Sequence, residues 1–181
     1  MPGQRYALVA YVKGPAGEFV EKLRRELHPD LPHLAAHLTI LPPRPLLGSE
    51  SSAIQTLQHL CGQAEPFEVN LGCVETFIPV TPTVYIRVDG TASHMCELHQ
   101  RLNSQALACQ EEWPYIPHLT IAKMSGEKLA RDAFKIASER WERYSGSRRI
   151  LVERLTFVRE EAQNQWIDLA PLPLGRTLVW K

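Results

Sequence analysis

The sequence predicts an α+β fold of two lobes, a duplicated unit arranged about a pseudo-twofold axis. Three observations predict it. The tetrapeptide His-Leu-Thr-Ile occurs twice, at 37–40 and at 118–121. The order strand, helix, strand, helix, strand is read twice in succession. The 81 residues that separate His37 from His118 also relate the elements around them. Shifted by that offset, a predicted strand at 67–77 falls on 148–158 and a predicted helix at 49–64 falls on 130–145. Both positions lie close to elements read independently, and self-similarity at a fixed offset is the signature of duplication. The 181 residues suit one compact domain or two small lobes sharing a core. The single domain then spans 1–181, with pseudo-repeats at about 6–78 and 83–158 and C-terminal strands within 165–180.

In chain order, Tyr6 to Val12 is an apolar run of strand formers ended by Lys-Gly-Pro. Pro15 to Leu27 has helical spacing, with Phe19, Val20, Leu23 and Leu27 on one stripe. His28-Pro29 stops it. Ala36 to Leu41 is a strand closed by Pro42-Pro43. Ser49 to Ala64 is a helix that serines can cap, with Ile54, Leu57, Leu60 and Cys61 inward. Phe67 to Ile78 alternates apolar and polar residues, as a strand with one wet face does. The second pass places strands at 84–88, 118–123 and 149–158, with helices at 92–108 and 127–144. Strands at 165–170 and 176–180 have no counterpart in the first half. The start of the repeat is looser, since Tyr6 maps a few residues late, onto Arg87. The stretch Pro79 to Pro82 is the best candidate for the crossing between lobes.

Composition narrows the function. Hydrophobic residues make up 44% and charged residues 22%, which indicates a packed core rather than disorder. Twenty Lys and Arg balance twenty Asp and Glu. A chain that grips long nucleic acid carries a basic excess. Any nucleic-acid partner here is therefore expected to be held locally, as an RNA end or a small nucleotide. The N-terminus lacks the layout of a signal peptide, and no apolar run reaches the roughly 18–20 residues of a membrane span. Cys61, Cys73, Cys96 and Cys109 show no C-x-x-C spacing and read as reduced, mostly buried thiols of a cytoplasmic protein. The default expectation is a monomer with no obligate protein partner.

The repeated motif carries the chemistry. In a strand, residues i and i+2 share a face. His37 and Thr39 therefore project together, with Leu38 and Ile40 pointing into the core. The same holds for His118 and Thr120 against Leu119 and Ile121. A pseudo-twofold axis then aims two imidazoles and two hydroxyls at one point across a cleft. One neutral histidine can take a proton from an attacking water, and one protonated histidine can give a proton to the leaving oxygen. The threonine hydroxyls can hydrogen-bond the non-bridging oxygens, where charge gathers in the transition state. A cyclic 2′,3′-phosphate is an apt substrate because its strained ring lowers the barrier. No metal and no cofactor is expected: His28, His33 and His37 do not share a helix face, and there is no H-E-x-x-H. The near symmetry leaves open which histidine is base and which acid. For ring opening the reading leans to His118 as base and His37 as acid.

The H-x-T-h pattern at 37–40, the duplicated order of elements, and Tyr115-x-Pro117-His118-x-Thr120 resemble the two-histidine (2H) phosphoesterase superfamily. That superfamily includes bacterial 2′-5′ RNA ligase-like proteins and RNA 2′,3′-cyclic phosphodiesterases. The resemblance implies antiparallel sheets lining a central cleft with helices outside. It implies catalytic roles for His37 and His118 and phosphate binding by Thr39 and Thr120. It also raises reversible 2′-5′ RNA ligase activity. Many relatives follow the first motif with an aromatic residue and a glycine, whereas Pro42-Pro43-Arg44 follows here, which points to a different, smaller substrate. Tyr115, Lys123 and Arg44 are candidates for substrate binding, Tyr115 by stacking on a base and the two cations by holding or steering an anion. Lys123 stands five residues after His118, so a regular strand aims it away from the histidine face unless the strand ends or bends. Arg148 and Arg149 read as a solvated strand end, His94 and His99 as surface residues, and the four tryptophans as core packing. The alternative function is a non-catalytic module of the same fold that binds a nucleotide or RNA end. A metal-dependent hydrolase is the third reading.

Overall fold

A computed structural model describes residues 3–28, 34–90 and 92–175 of the chain. The predicted strand 176–180, together with Trp180 and His33, lies outside these residues.

Among the described residues, eight strands and four α-helices alternate in the α+β manner. They are β1 (Tyr6–Tyr11), α1 (Gly14–Leu27), β2 (His37–Arg44), α2 (Glu50–Gly62), β3 (Phe67–Thr76), β4 (Thr83–Asp89), α3 (Ala92–Leu102), β5 (His118–Lys123), α4 (Glu127–Arg143), β6 (Arg149–Val152), β7 (Arg154–Ala162) and β8 (Gln165–Pro173). The helices follow their sequence signals. Ser49 accepts a hydrogen bond from the Ser52 amide at 3.0 Å and caps α2. Pro15 sits in the first turn of α1, where its missing N–H costs nothing.

The expected antiparallel strands join into one continuous sheet, in the order β6-β3-β4-β5-β2-β1-β7-β8. Its two four-stranded halves meet where β2 pairs β5, and Leu38 opposite Leu119 is the register pair at that seam. Leu38, Ile40, Leu119 and Ile121 are fully buried on the helix-covered face. Each such side chain contributes roughly 1.5–3 kcal/mol of burial. The other face is open and carries the motif's polar residues.

Four expectations are corrected. The strand read as 149–158 is two strands: β6 extends the β3 edge, whereas β7 pairs β1 at the far side of the sheet. Only Glu153 separates them, so a sheet with β6 first and β7 seventh in order must curl until its ends approach. The hydrogen bond from the Leu174 amide to the Glu153 carbonyl (2.9 Å) continues the β7–β8 ladder into the turn from β6. The segment Pro79–Pro82 does not cross between halves. It belongs to the hairpin joining β3 and β4, which pair directly, and the chain crosses instead through α2. Helix α3 stops at Leu102 rather than Ala108, because Asn103 turns its amide group onto the main chain of Cys109 and a short 3-10 turn follows at Gln105–Leu107. Of the four free thiols only Cys61 is buried; Cys73 and Cys96 are exposed. No helix among the described residues is long and apolar enough to cross a membrane.

Candidate active site

The two motifs occupy the central pair of strands. One step either side of the Leu38–Leu119 pair brings His37 alongside Thr120 and Thr39 alongside His118. Paired residues in an antiparallel ladder share a face, with Cα atoms about 4.5–5.5 Å apart. Two imidazoles and two hydroxyls therefore form one compact patch on the open face, and all four residues are half-buried.

Each ring is oriented in the same way. Nδ1 of His37 lies 2.7 Å from the carbonyl oxygen of Ala35, and Nδ1 of His118 lies 2.6 Å from that of Ile116. A carbonyl can only accept, so each Nδ1 carries the hydrogen. That leaves Nε2 of both rings to take or give a proton.

Both strands bend at the same place, and the bend explains Lys123. On β1, adjacent Leu8 and Val9 face Leu41 and Thr39, so Ile40 is an extra residue, a β-bulge. On β4, adjacent Val84 and Tyr85 face Ala122 and Thr120, so Ile121 is the extra residue of β5. Each bulge reverses the alternation that follows it. In β5, Ile121 and Ala122 are both buried and Lys123 returns to the face of His118 and Thr120. In β2 the position 81 residues earlier is Pro42. Lys123 and Pro42 line one cavity together with Thr39 and His118.

The surroundings of the two histidines differ. Burial lowers the His37 pKa to about 4, with the charges of Arg24 and Lys123 adding to the effect. Burial and Lys123 also lower that of His118. Arg24 is nearly buried on α1, and its guanidinium donates to the Leu34 carbonyl at 2.9 Å, while its partner Glu21 accepts from the Ala36 amide. This pair grips the backbone on both sides of Ala35, the residue that orients His37. Around His118 the neighbours are aromatic instead. Phe77 and Tyr85 present edge-on contacts to its ring at 5.0 and 5.3 Å.

The cavity beside His118 measures about 700 Å³. Phe77, Val80, Trp113, Ile116 and Met124 give it apolar walls, and Glu111 and Glu112 stand at one side. Trp113, expected in the core, is 56% exposed at its rim.

Arg44 does not serve this cavity, which corrects its placement as a substrate-binding cation. It is 2% exposed. Its guanidinium donates to the carbonyls of Pro42 and Leu107, to Asn103 Oδ1 and to Glu111 Oε2. Four of its five N–H donors are thus engaged inside the protein, and its burial keeps it from an anion in the cavity. Tyr115 does line the cavity, but its ring lies flat against His99 at 3.9 Å and its hydroxyl donates to the Thr39 carbonyl at 2.8 Å. It is half-buried, and desolvation raises the pKa of its phenol. His99, read as a surface residue, is half-buried. Its Nδ1 lies 2.7 Å from the Ile40 carbonyl and its Nε2 lies 3.1 Å from Glu111.

Sequence reasoning thus found the two motifs but missed Arg24, Glu21, Phe77, Tyr85 and His99. Tyr85 could have been inferred from strand pairing once β4 was set beside β5. The others depend on tertiary contacts that no local pattern encodes. Among the described residues, no group of three or more His, Cys, Asp or Glu side chains could hold a metal ion.

Comparison with known proteins agrees with this geometry. Residues 12–164 match the family model described as the 2′-5′ RNA ligase superfamily. A protein of Oceanobacillus iheyensis described as a candidate phosphoesterase is 26% identical over 126 residues, 70% of this chain and 71% of its own length. A like-named protein of Halalkalibacterium halodurans is 22% identical over 172 residues, 94% of this chain and 98% of its own. Among solved structures, E. coli LigT complexed with NADP+ has a TM-score of 0.63 at 17% identity, covering 96% of this chain and 99% of that one. The protein TT0787 of Thermus thermophilus has a TM-score of 0.64 at 14% identity, covering 94% and 98%. E. coli LigT has also been crystallised with 3′-AMP, at a TM-score of 0.59, 18% identity and coverage of 97% and 100%. With its paired motifs on one sheet face and a family match over most of its length, the chain belongs to the 2′-5′ RNA ligase superfamily of two-histidine phosphoesterases.

Proposed function

We propose that the protein is a metal-independent phosphodiesterase that opens 2′,3′-cyclic phosphates on RNA ends or small nucleotides. The observation that carries the reading is the patch itself: two rings with free Nε2 atoms and two hydroxyls, on one face of adjacent strands. The crystals of E. coli LigT with 3′-AMP and NADP+ support a nucleotide as the ligand of such a cleft.

The cavity supports one orientation of the substrate. An apolar hollow with aromatic walls takes a nucleoside, and it adjoins His118. The ribose oxygen that leaves phosphorus then lies on the His118 side, and water approaches in line from the His37 side. His37 removes the proton of the attacking water as its oxygen bonds to phosphorus. His118 donates its proton to the ribose oxygen as the P–O bond breaks. The product is a nucleoside phosphate monoester, and proton exchange with solvent restores both rings. The electrostatics favour the same assignment, because Lys123 acts on both rings while the charge of Arg24 acts to keep His37 neutral and is no cause of the shift at His118. This reverses the assignment to which the sequence leaned. Thr39 and Thr120 hydrogen-bond the non-bridging oxygens, and Lys123 offsets their charge. Ligation and ring opening share this proton pair, so the same residues serve the reverse reaction with a ribose hydroxyl as nucleophile or leaving group.

Hydrolysis of 2′,3′-cyclic AMP followed by phosphorus NMR tests the reading. A single 2′- or 3′-monophosphate formed in EDTA supports it. Tight nucleotide binding with no turnover would replace it with the non-catalytic alternative.

A further inference from the structure

The cleft is polarised along the sheet, and its two ends suit different chemistry. At the His118 end the walls are apolar, Lys123 is the cation assigned above to the reacting phosphate, and the other neighbouring cation is already neutralised. Arg87, the β4 partner of His118, pairs with Glu75 at 2.5 Å and with Asp89 at 2.7 Å. At the His37 end the pattern is the opposite. Tyr11 is the β1 partner of His37. The β1–β7 ladder ends with Val9 opposite Thr156; continued by two residues in the same register it sets Tyr11 toward Arg154, and both line the same cavity. His37, Tyr11 and Arg154 therefore form a row across three strands on the open face. At about 4.8 Å per strand, Arg154 sits about 10 Å from His37 along the backbone, within reach of a group one nucleotide away.

Tyr11, Lys13, Arg149, Arg154, Thr156 and Asp168 contribute to the lining of a second cavity, of about 910 Å³. Its charges are not all free. Arg149 pairs with Glu68 at 2.7 Å. Asp168 accepts the Tyr11 hydroxyl at 2.5 Å, and Glu153 also borders the cavity. The side chains of Lys13 and Arg154 make no ion pair or hydrogen bond among the described residues. Among the described residues they are two uncommitted cations in the lining of the groove that Tyr11, the β1 partner of His37, also lines.

We propose that this groove is a second anion subsite, which holds a phosphate carried by the arm of the substrate opposite the nucleoside cavity. The inference rests on the proposed phosphodiesterase reading and refines it. The ligand class is a phosphodiester with a nucleoside on one arm and a further phosphate on the other, rather than a lone cyclic mononucleotide. Lys13 and Arg154 bind the extra phosphate, and the Tyr11–Asp168 pair meets the sugar hydroxyls between the two phosphates.

The test compares three probes: 2′,3′-cyclic AMP, the 2′-5′-linked dinucleotide A2′p5′A, and the same dinucleotide bearing a 3′-phosphate on its second adenosine. Turnover and equilibrium binding are both measured, on wild type and on Lys13→Glu/Arg154→Glu. The two residues are exposed and have no partner among the described residues, so the fold tolerates the change. In wild type the extra phosphate tightens binding by about tenfold and steepens its salt dependence by about 0.7 in log–log slope. In the double variant that gain disappears, while turnover of 2′,3′-cyclic AMP stays within about twofold of wild type. No gain from the extra phosphate, or a gain that survives in the double variant, overturns the subsite. Failure of wild type to turn over any probe removes the phosphodiesterase reading instead, and the binding comparison still decides whether the groove takes phosphate.

Discussion

The hydroxyl of Tyr115 donates to the main-chain carbonyl of Thr39 at 2.8 Å, and the next residue, Ile116, supplies the carbonyl that orients His118. Two adjacent residues thus tie the first motif to the second. The tie falls at the Ile40 bulge, where His99 also grips the freed backbone through the Ile40 carbonyl. Removing the hydroxyl in Tyr115→Phe leaves the ring against His99 but cuts the link. The expected result is a loss of about tenfold in kcat with KM for a small cyclic nucleotide little changed. Melting should fall by only a few degrees, in line with one hydrogen bond worth about 1 kcal/mol. A variant with unchanged kcat would reduce Tyr115 to a wall of the cavity.

The histidines carry the largest predicted effects. His37→Ala and His118→Ala are each expected to lower turnover roughly 10²-fold or more, with circular dichroism and melting close to wild type. Either variant retaining more than a tenth of the wild-type rate is out of the proposed mechanism. Thr39→Val and Thr120→Val should lose less, a few kcal/mol at most in transition-state stabilisation.

The pH profile follows from burial and Lys123. Both histidines have pKa values below the ordinary 6.5, and that of His37 is about 4. The proposed acid must be protonated and the proposed base neutral. kcat/KM should therefore be bell-shaped, with its maximum on the acid side of pH 6.5. Lys123 lowers both values, so Lys123→Met raises both and moves the whole profile to higher pH. An acid shift, or none, would separate Lys123 from the pair electrostatically. The same depression bears on stability. Between pH 6.5 and about 4 the unfolded chain takes up a proton at His37 that the folded chain refuses, so stability falls as pH falls through that window. His37→Gln should flatten that part of a melting-temperature profile.

Arg44 behaves as a structural cation. Arg44→Ala leaves the Glu111 carboxylate with only His99 Nε2 beside it and opens the contacts of the 103–111 loop. Breaking one side of a buried ion pair costs about 3–5 kcal/mol, which lowers melting by roughly 10 °C in a chain of this size. If Arg44→Ala melts with wild type and instead raises KM, the substrate role returns.

The contrast between Arg44 and Lys123 shows where sequence reading succeeds and where it ends. Strand periodicity placed His37, Thr39, His118 and Thr120 on one face, because alternation is local and two apolar anchors back each motif. The same periodicity aimed Lys123 away from that face unless the strand ends or bends, and nothing in His-Leu-Thr-Ile-Ala-Lys marks Ile121 as the bulge that decides it. That extra residue is visible only against its partner strand. Arg44 looks like a surface charge after two prolines, yet β2 runs through Pro42 and Pro43, and Arg44 lies opposite Tyr6 under the 103–111 loop. Helices α1, α2 and α4 were legible from their stripes and caps. The split of 149–158 into β6 and β7 was not, because only the curl of the sheet assigns its two halves to opposite sides.

The central claim is tested most directly by turnover of 2′,3′-cyclic AMP in EDTA, with wild type, His37→Ala and His118→Ala run side by side. The account predicts ring opening by wild type without metal, and loss of roughly 10²-fold or more in both variants. Turnover by wild type that EDTA abolishes, or that either variant keeps, would contradict it.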